Sequence, residues 1–372
     1  MIKVGVDCTF YKNNNADTGL GIFIRQIVEG ISENQADLKV IVFVREEFYN
    51  TAKSLFAKVE VRAVKTLAIK KIDKLFLQLY SLNRAIKINN IDLFINPYVA
   101  IGQLINCPCK NMVVVHDLHF KHYPNVYNSF YRFLMKKWIG RILEKADKIV
   151  AISQYTKKDI ADVYRLDKNI VVIGNPVEIL NTKSIEMNTN YKYILSVNSF
   201  APWKNQKTLV NAFIKIKDFI SHKLVLIGYG DISEIKNIIE KNKLSERVIL
   251  KQYITNDELY AFYKGADLFV NTSLFEGFGR GNIEAGLLGV PILSSKEMCL
   301  EECSMGMLEY YAPATDSVIL ADNILRCLNE EVYDSKRLSH IQRKFHEKYS
   351  KKHIADMYIK EIYNMQTKNI SG

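Results

Sequence analysis

Short apolar runs recur along the chain, and between them lie segments whose apolar residues stand three and four positions apart. The first pattern is that of strands buried on both faces, the second that of helices with one packed face. Residues 2–7, 39–45, 59–64, 92–96, 110–115, 146–152 and 171–174 read as strands of one sheet. Residues 193–197, 223–228, 248–251, 267–271, 290–293 and 310–313 read as strands of a second. Helical spacing fills 19–28, 129–145, the segment after Ser153, the segment carrying Leu209, Phe213 and Ile216, then 283–288, 317–328 and a single stretch over 336–364. Strands alternating with helices predict an α/β protein with parallel sheets. The polar, aperiodic stretch 176–190 reads as a linker between them. A chain of 372 residues is long enough for two cores.

The densest chemistry lies between 267 and 295. A strand is followed by Gly277, Gly279 and Gly281, then a helix, then Gly289, Val290, Pro291 and another strand. A glycine loop at the carboxyl end of a parallel strand is where open α/β sheets bind ligands. Bare amides at Phe278, Gly279 and Arg280, backed by a helix start, suit a phosphate or diphosphate. Glu276 and Glu284 flank that anion site and make sense as acceptors for hydroxyls on either side of it. Taken alone, Glu284 reads equally well as a solvated helix residue and the glycines as a plain turn. Lys204, followed by Asn205 near a helix start, is either a phosphate ligand or a surface lysine. His116 stands at the end of the apolar run 110–115 as a ligand-facing group or a satisfied core histidine. Gly19 and Gly21 open the helix that follows the first strand, and their spacing lacks the third glycine of a dinucleotide fingerprint.

Glu276, Gly277, Phe278 and Gly279, with Glu284, Gly289 and Pro291, resemble the Glu-x7-Glu signature of the retaining, family-4 type glycosyltransferases of the GT-B fold. The resemblance covers most of the chain and is strongest from 190 to 300. It implies two Rossmann-like doubly wound parallel-sheet domains facing a cleft: 1–175 on the acceptor side, 191–345 holding the nucleotide-sugar donor, and 346–372 as a helix returning to the first domain. It also implies that His116 faces the donor sugar, that Gly19 and Gly21 border the cleft, and that Lys204 and Asn205 belong to a Pro-x-Lys-Asn donor segment. By the same analogy Glu276 and His116 are catalytic, while Gly19, Gly21, Lys204, Asn205, Phe278, Gly279, Arg280 and Glu284 bind donor. The chain departs from the family where Arg280 and Gly281 replace a usual Leu-Pro, and where the loop near Lys204 lacks an arginine; Arg280 is the candidate replacement.

The implied reaction moves a hexose from a UDP- or GDP-linked sugar to a saccharide or polyprenyl-linked saccharide, as in bacterial surface polysaccharide synthesis. No Asp-x-Asp triplet occurs, so neither metal nor cofactor is expected and Lys204, Arg280 and loop amides are expected to hold the leaving diphosphate. The competing readings are a non-catalytic sugar-nucleotide-binding scaffold and a GT-B-type epimerase or phosphorylase.

Charge adds one element. Of the net +11, residues 1–180 hold 26 Lys and Arg against 17 Asp and Glu, so the surplus lies in the N-terminal half. Lysines alternate with large apolar residues over 53–87, with helical spacing at Ile72, Leu75, Phe76 and Leu79, and again over 132–148. These segments suit an anionic membrane surface, or simply solvate packed helices. No nucleic-acid-binding signature accompanies the charge. No apolar run approaches the ~20 residues of a membrane span, 2–7 reads as a strand rather than a signal peptide, and six cysteines form no framework. A cytoplasmic protein, peripheral on the inner face of the plasma membrane, is the expectation.

Overall fold

The computed structural model describes residues 1–11, 18–34, 37–66, 76–103, 105–166, 168–179 and 189–367. The chain divides into two compact units, Met1–Pro176 with Tyr349–Gly372, and Val177–Lys348.

The first unit is built on seven parallel strands: β1 (Ile2–Asp7), β2 (Leu38–Arg45), β3 (Glu60–Val64), β4 (Leu93–Asn96), β5 (Lys110–Val115), β6 (Lys148–Ala151) and β7 (Ile170–Val172). They lie in the order β3-β2-β1-β4-β5-β6-β7. β4 and β5 are buried along nearly their whole length, as strands covered by helices on both faces must be. The second unit has six: β8 (Tyr193–Val197), β9 (Lys223–Gly228), β10 (Val248–Gln252), β11 (Leu268–Asn271), β12 (Ile292–Ser295) and β13 (Glu309–Tyr311), in the order β10-β9-β8-β11-β12-β13. Both sheets are wound alike. The chain starts in the middle, runs outward to one edge, then returns to pair its fourth strand with its first. This is the doubly wound Rossmann-like order, with its reversal between β1 and β4 in one unit and between β8 and β11 in the other.

Helix starts carry their own signals. Thr18, Asn128 and Ser153 accept from backbone amides of the helices Gly19–Glu33, Ser129–Lys145 and Gln154–Tyr164. Thr255 and Glu258 form a reciprocal capping box on Asn256–Lys264.

The stretch 336–364 is two helices rather than one, Ser335–Tyr349 and Lys351–Thr367, interrupted at Ser350. Apolar positions advance by four through Ile341, Phe345 and Tyr349, then by five to Ile354, and that irregular step marks the break. The first helix packs in the second unit, where Gly286 leaves room for Phe345; a Cβ there would sit 2.5 Å from its ring. The second packs on Gly19–Glu33 in the first unit. Gly30 admits Ala355 and Lys351, Lys351 Nζ pairs with Glu33 at 2.8 Å, and Asn34 donates to Asp356 at 2.6 Å. Ile354, Tyr358 and Ile362 bury the apolar face. Lys148 closes the far end on Glu361 at 2.7 Å.

The basic amphipathic stretch centred on 72–79 falls largely on 67–75, outside the described residues. Next in the chain, Leu77–Ser81 forms a π-type turn leading into the helix Leu82–Ile88. Among the described residues no helix is long and apolar enough to cross a membrane.

Candidate active site

The reversal point of the second sheet assembles the charged groups. β8 and β11 are neighbours, and the loops leaving their carboxyl ends are laced together by the backbone. Leu274 N–H donates to Trp203 O at 2.8 Å, and Thr272 Oγ1 donates to Lys204 O at 2.9 Å. Lys204 closes the single 3-10 turn Pro202–Lys204, ahead of Asn205 in a left-handed conformation and the helix Gln206–Ile216. Held in this way, Lys204 Nζ lies 2.5 Å from Glu276 Oε1, and Ser273 Oγ donates to the same oxygen at 2.9 Å. Cys299 Sγ lies 3.1 Å from Glu276 O and fixes the loop beyond.

A second pair stands directly after the first in the chain. The helix Arg280–Leu287 begins after Gly279, whose φ of +79° is left-handed and whose Cβ would stand 2.4 Å from Leu300 Cδ2. Only glycine meets both conditions without strain. Arg280 Nε donates to Glu284 Oε1 at 2.7 Å across one helical turn, and Tyr263 OH donates to Oε2 at 3.2 Å. Glu284 is only 6% exposed, so its two partners compensate a buried charge. Burial, with the Glu284 carboxylate beside it, pushes the Tyr263 hydroxyl well up, which keeps it a proton donor. Asn282 ties the helix start to both strands, accepting from Asn271 at 3.0 Å and donating to Ser294 at 2.9 Å. The site is therefore two ion pairs flanking a helix start whose first amides have no partner within the helix.

Each of these pairs joins a group expected on phosphate to a group expected on hydroxyls: Lys204 with Glu276, Arg280 with Glu284. The sequence named the four residues but not their pairing. Asn205 is bonded to its own surroundings. Its amide donates to Ala314 O at 2.9 Å and accepts from Thr208 Oγ1 at 2.6 Å, so both ends serve the framework. Phe278 is buried and offers only its backbone. Ser273, Tyr263 and Asn282 were not foreseen as site residues. Tyr263 lies 21 positions from Glu284, and no local spacing connects them.

In the first unit, Gly19 and Gly21 form the first turn of the helix they open. The Gly21 amide donates to Thr18 Oγ1 at 3.3 Å, while a Cβ on Gly19 would meet nothing within 4 Å, leaving the space above it open. His116 directly follows β5, with Nε2 2.9 Å from Pro97 O. A carbonyl can only accept, so Nε2 carries the proton and Nδ1 of the neutral ring keeps its lone pair. Burial lowers the His116 pKa, and Phe23 packs edge-on at 4.6 Å between ring centroids. The ring is thus held neutral and oriented. Among the described residues no group of three or more His, Cys, Asp or Glu converges as a metal site would require.

Residues 18–179 match the family model described as Glycosyltransferase Family 4, and residues 178–345 the one described as Glycosyl transferases group 1. The two matches fall on different halves of the chain, and the fold is the GT-B fold. Among curated relatives, the O-antigen chain mannosyltransferase RfbU of Salmonella typhimurium is 27% identical over 190 residues, 49% of this chain and 51% of that protein, so the chain spans about half of that relative's length. Among solved structures, sucrose-phosphate synthase from Thermosynechococcus elongatus is similar at a TM-score of 0.78 and 17% identity, over 99% of this chain and 100% of that one. The Anabaena protein HepE in complex with UDP-glucose is similar at 0.73 and 15% identity, over 98% of this chain and 100% of that one. At such identities the two structures speak to the fold.

Proposed function

We propose that this protein is a glycosyltransferase that moves a hexose from a UDP- or GDP-linked sugar to a saccharide or lipid-linked saccharide acceptor, with retention of anomeric configuration and without a metal ion. The reading rests on one observation: two cation–carboxylate pairs stand side by side at the reversal point of the second sheet. A nucleotide diphosphate sugar is the ligand class that matches both halves of each pair. Lys204 leaves Glu276 for the diphosphate, and Arg280 leaves Glu284 likewise. The carboxylates set free accept sugar and ribose hydroxyls, so every charged group keeps a hydrogen-bonding partner through the exchange. In the transition state the two cations and the amides at Gly279 and Arg280 neutralise the charge gathering on the leaving diphosphate. His116, held neutral with Nδ1 unprotonated, is kept in this reading as a catalytic residue.

The relatives' names support the biology proposed. RfbU is an O-antigen chain mannosyltransferase, and HepE was solved with UDP-glucose. The first favours a surface polysaccharide acceptor, the second a nucleotide-sugar donor.

A thermal-shift screen of UDP-, GDP-, dTDP- and ADP-sugars tests the donor. A ligand at about 100 times its dissociation constant stabilises by roughly 2.7 kcal/mol. The stabilising donor is then assayed for hydrolysis and transfer with and without EDTA, and the product anomer is read by NMR. Binding without turnover supports the scaffold reading; activity lost to EDTA and restored by magnesium or manganese overturns metal independence; an inverted anomer overturns retention.

A further inference from the structure

The helix Ser129–Lys145 is buried only along its second half. Ile139, Gly140, Ile142 and Leu143 are buried, whereas no residue from Ser129 to Trp138 is. At 1.5 Å per residue, the unburied half runs for about 15 Å. That half is not polar. Phe130 is 71% exposed and Phe133 54%, with Val126 at 52% just before the helix. Phe130, Phe133 and Lys137 lie at i, i+3 and i+7, on one face, and Lys137 Nζ sits over the Phe133 ring, 5.2 Å from its centroid. Beside this face a groove of 520 Å³ has Phe120, Phe133 and Val163 as its apolar lining and Lys121, Arg132 and Lys136 as its cations. Lys121 is already paired with Asp159 at 2.7 Å, so the open charge belongs to Arg132, Lys136 and Lys137.

From Leu118 to Leu143 the sequence contains Lys121, Arg132, Lys136, Lys137 and Arg141 and not one Asp or Glu. A solvated helix face mixes both signs, and a core face hides its aromatics. This one does neither. A second copy of the chain docked on the same patch would bring like charges together across the symmetry axis. Exposed aromatics among cations, with no acid on the unburied half of the helix, complement the interfacial zone of an anionic bilayer, where rings enter the headgroup layer and ammonium groups meet phosphates.

We infer that the projecting half of this helix, with Val126, Phe130, Phe133, Arg132, Lys136 and Lys137, is the surface by which the protein docks on an anionic lipid bilayer. The inference rests on the proposed membrane-side acceptor but names a face of its own, distinct from the ion-paired site in the other unit.

The test is co-sedimentation of the full chain with phosphatidylcholine vesicles and with vesicles containing phosphatidylglycerol, with donor hydrolysis measured on the same preparations without vesicles. Wild type is expected to prefer the anionic vesicles and to release them at high salt. Because each basic residue near an anionic leaflet is worth about 1 kcal/mol, K136Q/K137Q together should lower that partitioning about thirtyfold. F130A/F133A should lower it severalfold even at low salt, since it removes the inserted rings. Hydrolysis in solution should be unchanged in both variants. Equal binding to both vesicle types, no binding, or variants that bind like wild type overturn the inference while leaving the enzymatic reading standing. Vesicle binding without donor hydrolysis sinks the enzymatic reading and leaves the docking face. Self-association in sedimentation velocity that disappears in F130A/F133A shows a second copy to be the occupant and overturns the bilayer.

Discussion

The two sheets share one winding and differ in what stands at the point where the winding reverses. In the first unit, β1 ends at Asp7, fully buried, which accepts from Thr9 N at 2.9 Å, Thr9 Oγ1 at 2.6 Å and Gln78 Nε2 at 3.1 Å. Gln78 also donates to Thr9. Burial raises the Asp7 pKa despite these bonds. In the second unit the same topological position holds Lys204 with Glu276, and Arg280 with Glu284 stands alongside. One reversal point is plugged by its own short polar network; the other is held by ion pairs that a doubly charged ligand can exchange with. Identical topology offers the crevice twice, and side chains decide which one is used.

The largest effect expected from this contrast separates turnover from stability. On the proposed role, Lys204→Ala removes one stabiliser of the leaving group, and kcat for transfer should fall about 10²–10³-fold, with a smaller loss of Tm than deletion of the plugged network causes. Asp7→Ala strips the acceptor from three donors in a buried network, each unsatisfied group costing about 1–3 kcal/mol. It should lower Tm sharply while leaving kcat per folded molecule within severalfold. Reversed outcomes would break the comparison, because the plugged point would then be the working one.

The next effect sharpens the second unit alone. Glu276→Gln should mainly lower kcat, by tenfold or more. Glu284→Gln should weaken binding of the free nucleotide by about tenfold, the order of one hydrogen bond to a charged group. Isothermal titration with the nucleotide and steady-state kinetics separate the two. Unchanged nucleotide affinity in Glu284→Gln would remove its ribose role and leave it as the structural partner of Arg280 and Tyr263.

Glycines at the two helix starts allow a like-for-like test. Gly279→Ala combines a left-handed φ with a 2.4 Å approach to Leu300 and should cost about 1–3 kcal/mol. Gly19→Ala meets no atom within 4 Å and sits in a helical first turn, so stability should hold or rise slightly, by up to about 1 kcal/mol. If a ligand occupies the space over Gly19, its affinity should fall nonetheless. Chemical denaturation and titration of both variants check the pair. A Gly19→Ala variant with unaltered stability and unaltered ligand affinity would show that the open space has no use.

Much of this was legible in the chain because buried parallel strands write themselves as apolar runs. All six strands of the second sheet were expected within three residues of where they lie, and the glycine loop, Glu276, Glu284, Lys204 and Arg280 were named. What escaped was long-range partnership. That Lys204 holds Glu276 depends on β8 neighbouring β11, a fact of sheet order that no local pattern carries. The role of Tyr263 depends on a helix face turned toward another helix. Asn205 was named for its place in the Pro-x-Lys-Asn segment, and its bonds to Thr208 and Ala314 are set by the fold rather than by local spacing. The C-terminal break at Ser350 was written in the spacing, as the five-residue step from Tyr349 to Ile354, but a helical pattern resuming on both sides concealed it.

The smallest effect concerns protons, and each unit supplies one histidine. Burial lowers the pKa of His116 in the first unit and of His222 in the second. His222 stands 3.8 Å from Asp267, which opposes the shift without cancelling it. For a histidine whose folded pKa lies below its unfolded value, the unfolded chain takes the proton first as pH falls. The unfolded state then binds more protons than the native one, and stability drops as pH decreases from the ordinary value of about 6.5 toward the folded value. Above that range both states are neutral and the slope vanishes. One such proton gives at most about 1.4 kcal/mol per pH unit. Thermal melts between roughly pH 7.5 and 5 should therefore show wild type losing stability on acidification, with a shallower loss in His116→Gln and in His222→Gln, and the shallowest in the double variant. The two residues lie in different units, so their contributions should add where the units melt together. A His116→Gln variant with the wild-type acid slope would mean that the ring admits its proton as readily folded as unfolded. Its neutral, oriented state, with Nε2–H on Pro97 and Nδ1 open, would then no longer be a property the fold imposes.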